Sequence, residues 1–395
     1  MKEILIVGVG VMGRPYLDAA AALGCRIRAV EAGPATGDRP DVDVQSYYVD
    51  NVLDESWLHG VMNAVTDRIP DGILAFAEPN VISGALAQER FGLPGPSLHA
   101  AVISRNKALQ RSCFDACGVS QPEFKLAAGL AEAREWMTAR LPVVVKPLTL
   151  AGSQGVELIT DAAQVDEVIE RRGAEGKILI ERAVSGPEYS WEALVRDGEV
   201  LFENFTEKET TTPPYFVELT HRCGHRFTDP AVAAQVGVLT RGVLDALGMR
   251  TGLVHLEFRV SPDGPVLMEV AVRTPGDYLA DAIGLTYGFD LYQAVVRLTL
   301  GLPLEDLVNT EPVSYAATCF PTCEPGTIRE ISGVDEVLAH PAVVRVALRK
   351  KVGDVVHPLI SSSQRLGHVL VRASSPEERE EALEYVHKTL RISVD

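Results

Sequence analysis

The chain has no surplus of positive charge, no long apolar run and few aromatic side chains. Its 37 Lys and Arg stand against 54 Asp and Glu, a formal net charge of −17. That balance argues against nucleic acid as a partner, because phosphate neutralisation needs a basic surface; a local cationic pocket for a nucleotide remains compatible with it. No stretch approaches the ~18 apolar residues that a membrane span needs. The opening segment reaches Gly8 after too short an apolar run to read as a signal peptide, so the expectation is a cytoplasmic protein without a membrane partner. Cysteine is also scarce, with six residues at 25, 113, 117, 223, 319 and 323, and free thiols are the default for such a chain. Neither the Cys319/Cys323 pair nor the His221/Cys223/His225 group has the spacing of a structural zinc site. Internal repeats and low-complexity segments are absent too.

What is present is a 395-residue chain, 46% hydrophobic, long enough for two or three domains with their own cores. The first third alternates strand-like runs (Ile4–Val9, Arg26–Glu31, Ile73–Phe76) with helical patterns (Pro15–Leu23, Glu55–Val65), which implies a parallel sheet with helices on its faces. The first turn, Gly8-Val9-Gly10-Val11-Met12-Gly13, with Glu31 ending the next strand, matches a dinucleotide fingerprint. Alone it would suggest an NAD-dependent dehydrogenase, although such glycines serve any tight strand-to-helix crossing. A Gly/Pro-rich break over 91–97 marks a domain boundary. Beyond it come a helix over Ser104–Cys117 with Lys107 near its start, a strand over Leu141–Val145 leading to Lys146, a small-residue loop over Leu150–Gly155, and strands over Val156–Ile159 and Lys177–Ile180, the latter leading to Glu181. Two alternating strands flank an Arg196-Asp197-Gly198-Glu199 turn, Glu207–Arg226 reads as irregular, and Ala231–Leu247 and Tyr278–Leu300 read as helical. The last ~95 residues hold β-like runs and a charged helix over Pro376–Thr389.

One stretch stands out. His255–Arg273 reads as a hairpin around Ser261-Pro262-Asp263-Gly264. A turn centred on Asp263 sets Glu257 opposite Glu269, and two directly opposed carboxylates repel unless something positive lies between them. Hard cations such as Mg²⁺ take one or two carboxylates plus substrate phosphates. Strand alternation puts Glu269, Ala271 and Arg273 on one face and His255, Glu257 and Arg259 on the facing one. Lysines neutralise phosphates as point charges, and a Gly-Ser loop lets backbone N–H groups close over them.

The order of these features resembles the ATP-grasp superfamily over nearly the whole chain, and within it the carboxylate–amine ligases of the L-amino acid ligase branch. The resemblance implies an α/β and α+β protein with an ATP-grasp fold. An N-terminal parallel, Rossmann-like domain (1–97) would precede a two-part ATP-grasp domain (98–302, lid about 120–190) and a small C-terminal α+β domain (303–395). It implies ATP-binding residues Lys107, Lys146, Gly152, Ser153, Gln154, Gly155, Glu181, Arg182, Val184 and Glu188. Glu257 and Glu269 match the metal pair for Mg²⁺, with Mn²⁺ as the alternative ion, and Arg273 matches the arginine that meets the transferred phosphoryl group or the tetrahedral intermediate. The 210–221 segment looks like the branch's substrate loop, with Tyr215 and His221 as substrate contacts. His221 is placed there to polarise the acyl oxygen, and Asp277 to receive an ammonium group. One departure is that the family's Glu-x-Asn-x-Arg is here Glu269-Val270-Ala271-Val272-Arg273, and alanine cannot coordinate. The implied activity joins a small-molecule carboxylate to an amine at the cost of ATP. The competing readings are the dehydrogenase and an ATP-binding module without turnover. A homodimer is the base-rate expectation.

Overall fold

The computed structural model describes residues 1–10, 12–32, 44–49, 54–150 and 152–395. Val11 of the glycine motif and Ala151 of the small-residue loop lie outside them.

The first sheet is parallel, in the order β3-β2-β1-β4, with β1 (Glu3–Val7), β2 (Arg26–Ala32), β3 (Val44–Val49) and β4 (Gly72–Ala75). Its apolar run is explained by cover on both faces. Ile4 and Ile6 pack with Tyr16 and Leu17 of α1 (Arg14–Ala22), whereas Leu5 and Val7 pack with Trp57 and Val61 of α2 (Asp54–Asp67). A third helix, α3 (Val81–Phe91), closes this layer. The strand β3 lay unread in the sequence.

The helix expected over Ser104–Cys117 starts at Lys107, as α5 (Lys107–Ala116), and a separate helix, α4 (Leu98–Ser104), precedes it. The break has a local cause: Asn106 has extended backbone, and its side chain accepts hydrogen bonds from the N–H groups of Ala108 and Leu109, capping α5. Lys107 is thereby the first residue of a helix. A small antiparallel sheet follows, ordered β5-β8-β6-β7, from β5 (Phe124–Ala127), β6 (Val143–Pro147), β7 (Glu157–Ile159) and β8 (Ile178–Arg182), with α6 (Arg134–Thr138) and α7 (Ala162–Arg172) contributing to its core.

The rest is organised by an eight-stranded antiparallel sheet. Its members are β9 (Glu188–Arg196), β10 (Glu199–Thr210), β11 (Glu218–Cys223), β12 (Gly252–Ser261), β13 (Gly264–Ala271), β14 (Tyr315–Cys319), β16 (Val343–Leu348) and β18 (Gly367–Ala373), in the order β13-β12-β9-β10-β11-β14-β18-β16. The helix α8 (Pro230–Leu247) packs Val243 and Leu247 into the same core as Trp191 of β9 and Leu256 of β12. The single helix expected over Tyr278–Leu300 is α9 (Leu279–Tyr287) and α10 (Leu291–Thr299), parted at Gly288, which sits at φ +72. The chain finishes with β15 (Gly326–Ser332), β17 (Val355–Val356) and β19 (Arg391–Val394) in a three-stranded sheet, with α11 (Val334–Leu338) and α12 (Pro376–Thr389). No described helix is long and apolar enough to cross a membrane.

Two sequence readings are corrected here. Glu207–Arg226 is not wholly an irregular loop, because the end of β10 and all of β11 occupy half of it, pairing Glu207 with Arg222 and Lys208 with His221; the residues between Thr210 and Glu218 and those after Cys223 leave the ladder. The hairpin turn is not centred on Asp263, since Ser261 pairs with Gly264 and Phe258 with Leu267. A bulge at Met268 then shifts the register by one residue, and Glu257 pairs with Glu269 and His255 with Ala271. The opposed carboxylates expected from the sequence are there, but the bulge and not the turn creates them.

Candidate active site

A cavity of about 390 Å³ opens between the small antiparallel sheet and the large one. Its lining includes the apolar side chains of Pro122, Val144, Val156, Leu158 and Met268 together with Lys107, Lys146, Glu181, Glu257, Glu269 and Arg273. The mixture suits a ligand with an apolar part and an anionic part.

Among the charged residues, Glu181 of β8 is buried between two cations. Arg111 of α5 donates from Nε at 2.5 Å, and Lys146 Nζ stands 2.6 Å away. Burial pushes the Glu181 carboxyl up, but the Arg111 and Lys146 charges outweigh it and hold it at about 2. Arg111 also donates Nη2 to the carbonyl of Met268 at 2.5 Å, so one guanidinium ties helix, small sheet and hairpin bulge together. Lys107 donates to Leu150 O at 2.8 Å and to Glu269 at 2.9 Å; the first lysine therefore touches both the small-residue loop and the hairpin.

The opposed hairpin carboxylates each have their own lysine. Glu269 has Lys107, and Glu257 accepts from Lys208 Nζ at 2.7 Å. Lys208 also stands 3.0 Å from Glu188 and 3.5 Å from Glu218. Burial lowers its pKa, but the three carboxylates outweigh burial and raise it. The Glu257 carboxyl is held well below its ordinary value, because Lys208 and then His255 overcome the effect of burial. His255 is fixed by Glu192, whose carboxylate stands 2.9 Å from Nδ1 and accepts from Asn204 at 2.6 Å and Thr206 at 3.0 Å. Burial pulls the His255 pKa down, but the bonds to Glu192 and Glu257 lift it to about 9.

Among the described residues no three His, Cys, Asp or Glu side chains are gathered as a ready metal cage. Two carboxylates paired across the hairpin and lining one cavity do fit Mg²⁺, which keeps water and substrate phosphates as its other ligands. Arg273 ends the row beside them. Its Nε donates to Glu78 at 2.6 Å, and Glu78 also accepts from Arg105 at 3.1 Å. Glu78 follows β4, so the N-terminal sheet reaches into the site.

Most residues named from the sequence line this one cavity: Lys107, Lys146, Gly152, Ser153, Glu181, Arg182, Val184, Glu188, Glu257, Glu269 and Arg273. Gln154, Gly155, Tyr215, His221 and Asp277 do not. His221, with its side chain 1% exposed, packs edge-on to Phe320 and holds Asp277 through Nε2 at 3.0 Å. Asp277 is gripped on both oxygens by Arg365, whose Nε donates to Ser362 O. The expectations that His221 polarises an acyl oxygen and that Asp277 receives an ammonium are therefore not met by this arrangement. Their partners are each other and Arg365. Sequence reasoning missed Lys208, Glu218, Glu78 and the turn at Ser362, whose hydroxyl donates to Glu218 at 2.7 Å and whose N–H donates to Gly152 O at 3.1 Å. Lys208 was legible had the strand read after the Arg196–Glu199 turn been carried past Glu207, since alternation along β10 points it to the face of β12 that carries Glu257.

The glycine motif serves packing. A Cβ on Gly8 would stand 2.0 Å from Asn80 Nδ2, and one on Gly13 would stand 2.4 Å from Val9 O. Glu31 is turned inward and accepts from the Val9 and Gly10 amides, the very groups a dinucleotide would need free.

Comparison with known proteins agrees with this geometry. Residues 139–281 match the model of an ATP-grasp domain and residues 319–395 that of the L-amino acid ligase C-terminal domain 2. The chain is 24% identical over 361 residues to the L-arginine-specific L-amino acid ligase of Bacillus subtilis, covering 87% of this chain and 85% of that one. It is 27% identical over 330 residues to carnosine synthase 1 of Gallus gallus, covering 76% of this chain but 35% of the relative. The crystal structure of L-amino acid ligase from Bacillus licheniformis superposes with a TM-score of 0.83 at 23% identity, covering 100% of this chain and 99% of that one. The chain thus carries an ATP-grasp domain over residues 139–281 and an L-amino acid ligase C-terminal domain 2 over residues 319–395, and it has the fold of an L-amino acid ligase.

Proposed function

We propose that the chain joins a carboxylic acid to an amine through an acyl phosphate, with release of ADP and phosphate, and that both substrates are amino acids or close relatives. The observation that carries this reading is the convergence of Lys107, Lys146, Glu257, Glu269 and Arg273 on one cavity that apolar side chains also line, with Lys208 behind Glu257. The names of the relatives, an L-arginine-specific L-amino acid ligase and a carnosine synthase, support the substrate class.

A carboxylate is a poor electrophile because its leaving group would be oxide-like. Attack of its oxygen on the γ-phosphorus of ATP breaks the bond to ADP and leaves an acyl phosphate. The amine nitrogen then adds to the acyl carbon, the carbon–oxygen bond to phosphate breaks, and the amine proton departs with phosphate or solvent. Phosphoryl transfer of this kind depends on positioning and charge stabilisation more than on covalent help. Lys146 and Lys107 take phosphate oxygens, exchanging Glu181 and Glu269 as partners, and Lys208 positions Glu257 and Glu188 from behind the cavity wall. The apolar wall receives adenine, with the Arg182–Val184 backbone offering its hydrogen bonds, and Glu188 takes a ribose hydroxyl. Glu257 and Glu269 would hold Mg²⁺, which when bound neutralises the β and γ oxygens. Arg273, anchored by Glu78, faces the oxyanion of the addition step. The 150–155 loop, held by Ser362 and by a bond from Ser153 Oγ to Phe216 O, keeps water from the acyl phosphate.

The test is a pairwise screen of amino acids with ATP and Mg²⁺, read by mass spectrometry. ADP, phosphate and a product of summed mass less water should appear only when acid and amine are both present. ATP binding without turnover under every pair would leave a nucleotide-binding module instead.

A further inference from the structure

Position 271 raises a chemical question that position 255 answers. The hairpin reads Glu269-Val270-Ala271-Val272-Arg273 where the superfamily carries an asparagine ligand, and a methyl group has no lone pair to offer. Across the hairpin the residue paired with Ala271 is His255. Both line the cavity, and both project from the face that carries Glu257 and Glu269.

His255 is also held as a metal-bound imidazole is held. Such a ring almost always gives its second N–H to a carboxylate, which fixes the tautomer and aims the other nitrogen. Here Nδ1 stands 2.9 Å from Glu192, whose side chain is 0% exposed and further fixed by Asn204 and Thr206. The nitrogen left to point into the cavity is Nε2, and it lies 3.4 Å from Glu257 Oε1. Adjacent donors on an octahedral ion with bonds of ~2.1 Å stand ~3.0 Å apart. Nε2 and Oε1 are thus within a few tenths of an ångström (~0.4 Å) of a shared coordination edge. The group that competes for Oε1 is Lys208 at 2.7 Å, which has Glu188 and Glu218 as further partners.

We propose that His255 supplies, through Nε2, the ligand that residue 271 lacks, so that a divalent ion bound with the nucleotide is held by hairpin carboxylate and imidazole nitrogen together. This rests on the reading of Glu257 and Glu269 as the metal carboxylates. The Nε2 proton leaves to solvent as the ion arrives. A nitrogen donor favours Mn²⁺ over Mg²⁺ more than an all-oxygen set does, so the substitution at 271 changes the preferred metal rather than removing the site.

The experiment uses the full chain with Mn²⁺ and a non-hydrolysable ATP analogue, read by electron spin-echo modulation. Protein grown with ¹⁵N-histidine should replace a ¹⁴N modulation on Mn²⁺ with a ¹⁵N one, and His255→Gln should abolish it. His255→Gln should also weaken Mn²⁺ binding by about tenfold. Adding Ala271→Asn to that variant should recover most of the loss without restoring the nitrogen signal. If Mn²⁺ binds with the nucleotide but histidine labelling leaves the modulation unchanged, the inference fails while the functional reading survives. If neither nucleotide nor Mn²⁺ binds, both fail together.

Discussion

Replacing Glu181 with glutamine should cost the fold about 3 kcal/mol at neutral pH. The carboxylate is 2% exposed and lies between Arg111 Nε at 2.5 Å and Lys146 Nζ at 2.6 Å. Gln keeps the shape and removes the charge, which leaves two cations, 2% and 12% exposed, facing a neutral amide. Breaking a buried ion pair from one side typically costs ~3–5 kcal/mol. The titration gives an independent figure. A carboxyl with an ordinary value of 4.5 that is held at about 2 when folded contributes about 3 kcal/mol wherever it is ionised in both states. Its folded value is depressed, so this stability is fully present above pH 4.5 and is lost as pH falls toward 2. Urea denaturation followed through Trp191, which is 1% exposed in β9, should show the midpoint of Glu181→Gln lowered by on the order of 1 M at pH 7. The gap to wild type should narrow as the pH is lowered through 4 toward 3. Magnesium and an ATP analogue should recover part of the loss, because phosphate becomes an anion for Lys146. A loss under about 1 kcal/mol at pH 7, or a gap that does not change with pH, would refute the account of Glu181 as the anion that holds two cations in place.

Other substitutions test separate parts of the site. Glu269→Ala should abolish ATP turnover while leaving the fold intact by circular dichroism; substantial residual ADP release would mean that the hairpin is not the metal site. Glu78→Gln frees Arg273 from its 2.6 Å anchor and should lower kcat by about 10- to 100-fold with nucleotide affinity unchanged, and equal effects on both would count against a role in the acyl-transfer step. Ser362→Ala removes the bond to Glu218 and loosens the turn that meets Gly152, so phosphate released should exceed amide formed. A ratio that stays at one under limiting amine would show that this turn does not guard the acyl phosphate.

The sequence made the nucleotide end of the cavity readable because its residues sit at element ends that propensity marks clearly. Lys107 follows an asparagine cap, Lys146 ends an all-valine strand, and Glu181 follows an Ile-Leu-Ile run. The substrate side was harder for physical reasons. The Thr-Pro-Pro cluster after Thr210 advertises a loop so strongly that it hid the end of β10 and all of β11, and Lys208 with them. The helix expected from Ser104 starts only at Lys107, set by an asparagine whose capping role depends on the backbone it meets. Glu257 and Glu269 were paired correctly from a wrong turn centre, because the bulge at Met268, invisible to period-two alternation, compensated by one residue. The grip of Arg365 on Asp277 joins positions far apart in the chain, and no local pattern could announce it.

The order of strands in the large sheet also bears on how the protein is made. The outer edge of β11 is covered by β14, whose residues follow it only after roughly a hundred more have been synthesised. At ~5–20 residues per second, that edge stays open on the ribosome for on the order of 5–20 s. An exposed row of unpaired N–H and C=O groups is a template for pairing with another chain. A stop between Arg273 and β14 would therefore release a polypeptide with the cavity's charged groups present and the β11 edge bare. Such fragments should aggregate rather than accumulate as partial enzymes.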